Sequence, residues 1–128
     1  MDAARKAAQQ ARAPYSGFRV GAAVLAAGGK IITGFNIENA SYGLTLCAER
    51  AVLVHALCAG HHTFLAMALC AGEGEPATPC GACRQFMAEF MDPETPVFYS
   101  ALPEGSRIFK TTPGELLPRA FTFSKPRP

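Results

Sequence analysis

Residues 18–35 read FRVGAAVLAAGGKIITGF, two β-rich runs on either side of Gly28-Gly29. Phe18 to Leu25 and Lys30 to Phe35 are apolar and partly β-branched, and a Gly-Gly pair supplies the positive φ angles of a tight turn. The stretch predicts a β-hairpin. Before it, residues 2–12 are rich in Ala, Gln, Lys and Arg, all good helix formers, and Pro14 stops that helix. After it comes a polar loop from Asn36 to Thr45. Leu46 to Cys58 then reads as a helix closed by Gly60 as its C′ residue. Apolar residues lie on most sides of that helix, so it is expected to be buried. Phe64 to Ala71 reads as a third strand, and a Gly/Glu/Pro/Thr loop spans 72–79. Cys80 to Met91 reads as another helix, between Pro79 and Asp92-Pro93. Short strands are expected at 96–100 and 106–110, and a last helical turn at 112–117. The order α-β-β-α-β-α-β-β predicts an α/β protein: a mixed sheet with helices packed on it. A chain of 128 residues has room for one domain, read as 1–128.

Composition narrows the function classes. The chain is 49% hydrophobic with a net charge of +2, which excludes disorder. No apolar run reaches the roughly 18 residues of a membrane helix. The start, Met1-Asp2-Ala3-Ala4-Arg5-Lys6, has no apolar signal region, so a cytoplasmic protein is expected. No Lys/Arg run of about 5–8 residues exists, which argues against a nucleic-acid partner. Only 17% of residues are charged, against about 25% in ordinary soluble domains. The 23 alanines fill part of that gap. A surface covered by another subunit is a second cause.

Five cysteines, at 47, 58, 70, 80 and 83, make an odd number, which suggests metal or catalysis before disulfides. Cys58 and Cys70 sit in apolar segments and read as inert buried thiols. His55, His61 and His62 read as structural or solvent-facing, and Met67, Met87 and Met91 as core. The chemistry concentrates in Cys47-Ala48-Glu49-Arg50 and Pro79-Cys80-Gly81-Ala82-Cys83-Arg84-Gln85. A lone C-x-x-C is shared by redox proteins and structural zinc sites. Cys80 and Cys83, at i and i+3 of a helix start, can point at one ion. Cys47, at a second helix start, can be the third ligand that a catalytic zinc needs. Helix N-termini lower thiol pKa values and so favour thiolate. Three thiolates leave zinc with a net charge of about −1. Arg50 offsets part of it, unless it is only a surface cation. Glu49 is spare as a ligand and suited to carrying protons, although acids are common at helix starts. A three-thiolate zinc with a non-ligand Glu and a P-C-x-x-C segment is the signature of zinc deaminases.

From about Pro14 to about Phe121 the sequence resembles the small cytidine deaminases of nucleoside salvage. Four pieces carry the resemblance: Pro14 to Ala23, Asn36 to Tyr42, Cys47 to Arg50, and Pro79 to Gln85. It implies a three-layer α/β/α fold with a central five-stranded mixed sheet, and one Zn²⁺ per subunit held by Cys47, Cys80 and Cys83. It implies hydrolysis of cytidine and deoxycytidine to the uridine products and ammonia, by zinc-activated hydroxide attacking C4 with Glu49 as proton shuttle. Asn36 and Glu38 would bind the ribose hydroxyls, Phe18 would pack by the nucleoside, and the backbone of Ala48 would contact the pyrimidine. Short members are homotetramers with shared sites, so Phe121 and Tyr42 would serve a neighbouring subunit. For Phe18 and Phe121 core packing is the competing reading; for Asn36 and Glu38 it is loop polarity. A related deaminase of cytosine antibiotics of the blasticidin S type shares the cysteine pieces but lacks the Asn-x-Glu segment. A polynucleotide-editing deaminase would need a basic groove, and a zinc-stapled interaction domain would need a fourth protein ligand.

Overall fold

The hairpin forms one edge of the sheet. In a computed structural model, which describes residues 1–123, β1 (Val20–Ala26) and β2 (Ile31–Phe35) pair antiparallel, with Ala22 opposite Gly34. Gly28 and Gly29 take φ of 95° and 94° at the turn, a conformation L side chains rarely adopt. β1 also pairs antiparallel with β3 (Phe64–Ala71), Ala22 against Leu69. β4 (Val97–Ser100) lies parallel to β3, and β5 (Phe109–Thr111) closes the sheet antiparallel to β4. The five-stranded mixed sheet has the order β2-β1-β3-β4-β5.

Two close approaches place the helices on opposite faces. A Cβ added at Gly21 would strike the backbone of Ala4 and Ala8 in α1 (Asp2–Ala8). One added at Gly34 would stand 2.6 Å from the backbone nitrogen of Val52 in α2 (Ala48–Cys58). Gly34 faces the same way as Ala22, and Gly21 the other way, because side chains alternate along a strand. α3 (Gly81–Phe90) shares the α2 face, since Met87 packs in one core with Val52, Leu53 and Leu69. α4 (Pro113–Leu116) follows β5, and a 3₁₀ turn spans Tyr42–Leu44. The result is the expected α/β/α layering.

Several expectations are corrected. α1 ends at Ala8, before Pro14, because Arg12 turns away to pair with the segment after β2: its amide donates to the Asn36 carbonyl at 2.9 Å. α2 is buried only along the stripe Ala48, Glu49, Val52, Leu53 and Ala56. Cys58 falls off that 3.6-residue stripe and is exposed, not buried. Cys70 is buried as expected and donates to the Ala101 carbonyl at 3.1 Å. The fifth strand starts at Phe109, three residues later than expected, because the hydroxyl of Ser100 donates to the Arg107 carbonyl at 2.9 Å. That carbonyl is spent on a side chain and not on the ladder. Met67, Met87 and Met91 are core.

β2, β3 and β4 run in the same direction, so their carboxyl ends share one edge of the sheet. The first residue of β1 sits there too, with Val20 opposite Ala71. Chains leaving β2 and β3 at this edge return as α2 and α3. The crevice outside carboxyl strand ends is the usual ligand position in such sheets.

Candidate active site

Cys47 is the N-cap residue of α2 and Cys80 the N-cap residue of α3. Both have extended backbone, and neither side chain caps its helix, so the sulfurs are free to turn toward each other. Cys83, one turn into α3, is fully buried behind them. The three sulfurs lie within 4.8 Å of one another, with Cys47 Sγ and Cys80 Sγ 3.9 Å apart. Two sulfurs bonded to one tetrahedral zinc at 2.3 Å would stand roughly 3.8 Å apart, so the donor set fits that ion.

The charges around the sulfurs fit it as well. The Cys47 thiol is pushed down to about 5, first by the hydrogen bond from Cys83 and then by Arg50 and Cys80. Cys83 is pushed the other way by its bond to Cys47 and by burial. The Arg50 guanidinium donates to Cys47 Sγ at 3.5 Å and to the Thr45 carbonyl at 3.4 Å. Its Nε is buried without a hydrogen-bond partner. A cation accepts such a position when negative charge stands beside it, and the Cys47 thiolate supplies such charge. Glu49 follows from the same helix start. It is 7% exposed, and its Oε2 lies 3.7 Å from Cys83 Sγ. Burial raises its pKa, and the charge on Cys47 adds to the rise. A carboxyl whose proton affinity burial has raised is suited to proton transfer.

A cavity of about 290 Å³ opens onto the thiols, near the small end of the range for small-molecule sites, about 300–1,000 Å³. Cys47, Ala48, Glu49 and Cys80 form one end, and Phe18, Asn36 and Glu38 the other. Leu69 and Ala71 of β3 lie on its wall. A larger cavity of about 750 Å³ lies on the other side of Phe18, beside Arg5 and Arg19, and contains none of the three thiols.

At the far end, Asn36 serves the fold and faces the cavity at once. Its Nδ2 donates to the Phe18 carbonyl at 2.8 Å, and its Oδ1 accepts from the Val20 amide at 2.9 Å. Glu38 Oε1 accepts from the amides of Tyr15 and Ser16 at 3.0 and 3.1 Å, and Oε2 accepts from the Ser16 hydroxyl at 2.5 Å. The Ser16 hydroxyl, ahead of these amides as a cause, holds the Glu38 carboxyl below its ordinary value. Ser16 was not singled out in the sequence. The signal for it was a hydroxyl two residues before Phe18, whose amide it accepts at 2.9 Å.

Two expected site residues stand apart within one chain. Tyr42 is 76% exposed and reaches Tyr15, edge-on at 6.1 Å between ring centres. It lines a neighbouring hollow with Glu38 and Thr45. Phe121 is 66% exposed and borders no part of the thiol cavity, so core packing does not account for it. His55 is exposed, with Nδ1 2.9 Å from the Thr33 carbonyl. His61 and His62 are not in the cluster.

Residues 1–99 match the family model described as the cytidine and deoxycytidylate deaminase zinc-binding region. A cytidine deaminase of Halalkalibacterium halodurans is 50% identical over 117 residues, covering 91% of this chain and 87% of that protein. One from Mycobacterium tuberculosis is 44% identical over 118 residues, covering 92% and 84%. The crystal structure of cytidine deaminase from Burkholderia pseudomallei superposes with a TM-score of 0.86 at 46% identity, covering 94% of both chains. Three convergent thiols at two helix starts, a buried carboxyl beside them and these likenesses lead to one conclusion: the chain belongs to the cytidine and deoxycytidylate deaminase family.

Proposed function

We propose that this protein hydrolyses cytidine and deoxycytidine to uridine and deoxyuridine with release of ammonia. The observation that carries the reading is the single cavity joining the thiol cluster and Glu49 to Asn36 and Glu38. Cys47, Cys80 and Cys83 hold the zinc, one ion per subunit. Zinc, when bound there, supplies the Lewis acidity that lets water attack an amidine carbon near neutral pH. Glu49 Oε2 takes the proton released by the water and delivers it to the departing nitrogen, so one carboxyl serves both transfers. The Arg50 guanidinium offsets the excess thiolate charge, which would otherwise weaken the Lewis acid.

At the other end Asn36 and Glu38 receive the ribose hydroxyls. Glu38 reaches them as a charged acceptor with lone pairs left after its three bonds to residues 15 and 16. Phe18 packs against the sugar and base, and the backbone of Ala48 orients the pyrimidine.

The same reading makes the chain, as one domain over 1–128, a homotetramer with shared sites. Tyr42 and Phe121, both exposed and outside their own chain's thiol cavity, would complete a neighbour's. Tyr15, Ile37 and Leu44, each next in sequence to a residue that lines the cavity, are exposed apolar side chains, which supports a covered surface there. Among the described residues no helix is long and apolar enough to cross a membrane, and a cytoplasmic salvage enzyme is the setting proposed.

Cytidine turnover followed by absorbance tests the reaction, with a chelator-treated sample as control. The native protein converts cytidine and the chelated one does not. No turnover of either nucleoside by zinc-loaded protein sinks the proposal. Sedimentation reads the assembly.

A further inference from the structure

The helix that carries Cys83 carries a second set of bonds, beginning with the next residue. Arg84 Nε donates to the Pro79 carbonyl at 2.7 Å, and its two terminal nitrogens donate to the Leu116 carbonyl at 2.9 Å and the Thr78 hydroxyl at 3.1 Å. Gln85 Nε2 donates to the Phe121 carbonyl at 3.1 Å. Two consecutive residues of α3 therefore grip both ends of the turn at 116–121. Between the grips, Arg119 takes φ of 60°, an uncommon conformation for a non-glycine residue that its surroundings must hold. Beyond the turn, Phe121 and Phe123 meet edge-on at 5.3 Å, both mostly exposed. Their rings gain little from burial in their own chain. The Phe121 backbone is nonetheless tied to the metal-ligand helix.

We propose that Arg84 and Gln85 are positioning residues: they clamp the turn at 116–121 to the Cys80–Cys83 segment and so fix where Phe121 is presented. This rests on the reading of Phe121 as part of a neighbouring subunit's site. The rigid fork of Arg84 suits three acceptors on two segments at once, which a lysine could not satisfy. Gln85 adds a bond beyond the strained residue, so its donor helps set the last part of the path.

Gln85→Glu removes that donor and keeps the size, and Arg84→Gln removes the fork. Hydrogen exchange of residues 117–123, zinc content, and kcat and KM for cytidine are measured on each full-length protein. In Gln85→Glu, exchange in that segment quickens by roughly fivefold, about the worth of one hydrogen bond. KM rises by a similar factor with kcat within about twofold and zinc unchanged. Arg84→Gln gives a larger effect of the same kind, and Gln85→Lys, which restores a donor, returns KM toward the native value. Unchanged exchange and KM in both variants overturn the proposal. So does a fall in kcat with loss of zinc and unchanged KM, which would make the pair supports of the metal loop alone. Absence of turnover in the native protein would instead defeat the deaminase reading, while the exchange comparison still decides the clamp.

Discussion

The two ends of the cavity are built on different principles. At the thiol end, Cys83 is fully buried and Glu49 is 7% exposed, both held by helices that pack in the core. At the other end, Glu38 and Ser16 sit on surface loops and hold each other by hydrogen bonds. Asn36 joins the two regimes, a buried amide that stitches the start of β1 while facing the cavity. The contrast follows from the work proposed for each end. Proton transfer needs a carboxyl whose pKa burial has raised. Recognition of hydroxyls needs a carboxylate that stays charged, and exposure with good donors keeps it so.

The sharpest way to break this contrast is Glu49→Gln. Its kcat should fall by about 10²–10⁴-fold, the usual worth of a positioned proton carrier, with zinc content and fold retained. Turnover near the native rate would remove Glu49 from the chemistry. Asn36→Ala should show both of that residue's functions. Loss of its bonds to the Phe18 carbonyl and the Val20 amide should cost about 1–3 kcal/mol in chemical denaturation, and KM should rise. A change in KM with native stability would separate the two functions and weaken the stitching role.

Glu38→Gln should raise KM for cytidine by about tenfold and leave kcat within about threefold, the pattern of lost uniform binding. An equal fall in kcat would place Glu38 with the chemistry. The smallest expected effect is in the pH profile of that same KM. Donation from Ser16 holds the folded Glu38 below its ordinary 4.5. The favourable charge is thus present above the ordinary value and is lost only as pH falls through the lower, folded value. The acid-side rise in KM should be centred below pH 4.5, the ordinary value; a rise centred at or above 4.5 would contradict this.

Most of this division was legible along the chain, and for uneven reasons. The hairpin, the strand at 64–71 and the helix starts at Cys47 and Cys80 follow from local turn chemistry and periodicity, which act over a few residues. Cys47, Glu49, Cys80 and Cys83 were readable because the chemistry needs those residue types at helix starts. Ser16 was not, since a serine in a loop has many uses and only the fold brings Glu38 to it across 22 positions. Cys58 was misread because residue type was used where helical phase decides exposure. Arg84 and Gln85 read as motif residues; the partners that tie them to the turn at 116–121 lie 32 and 36 positions away.

Neighbours along the chain set the element order and the residue types of the donor set, because turn chemistry and periodicity act over a few residues. Long-range packing brings β2 and β3 to an end at one edge, and so two helix starts about thirty residues apart put three sulfurs within 4.8 Å. It also decided that Glu49 is buried while Glu38 is not, which separates two glutamates of the same intrinsic chemistry. The physical reason is that burial and long-range hydrogen bonding are properties of the packed chain, and they set both the proton affinity of a carboxyl and the place where it acts.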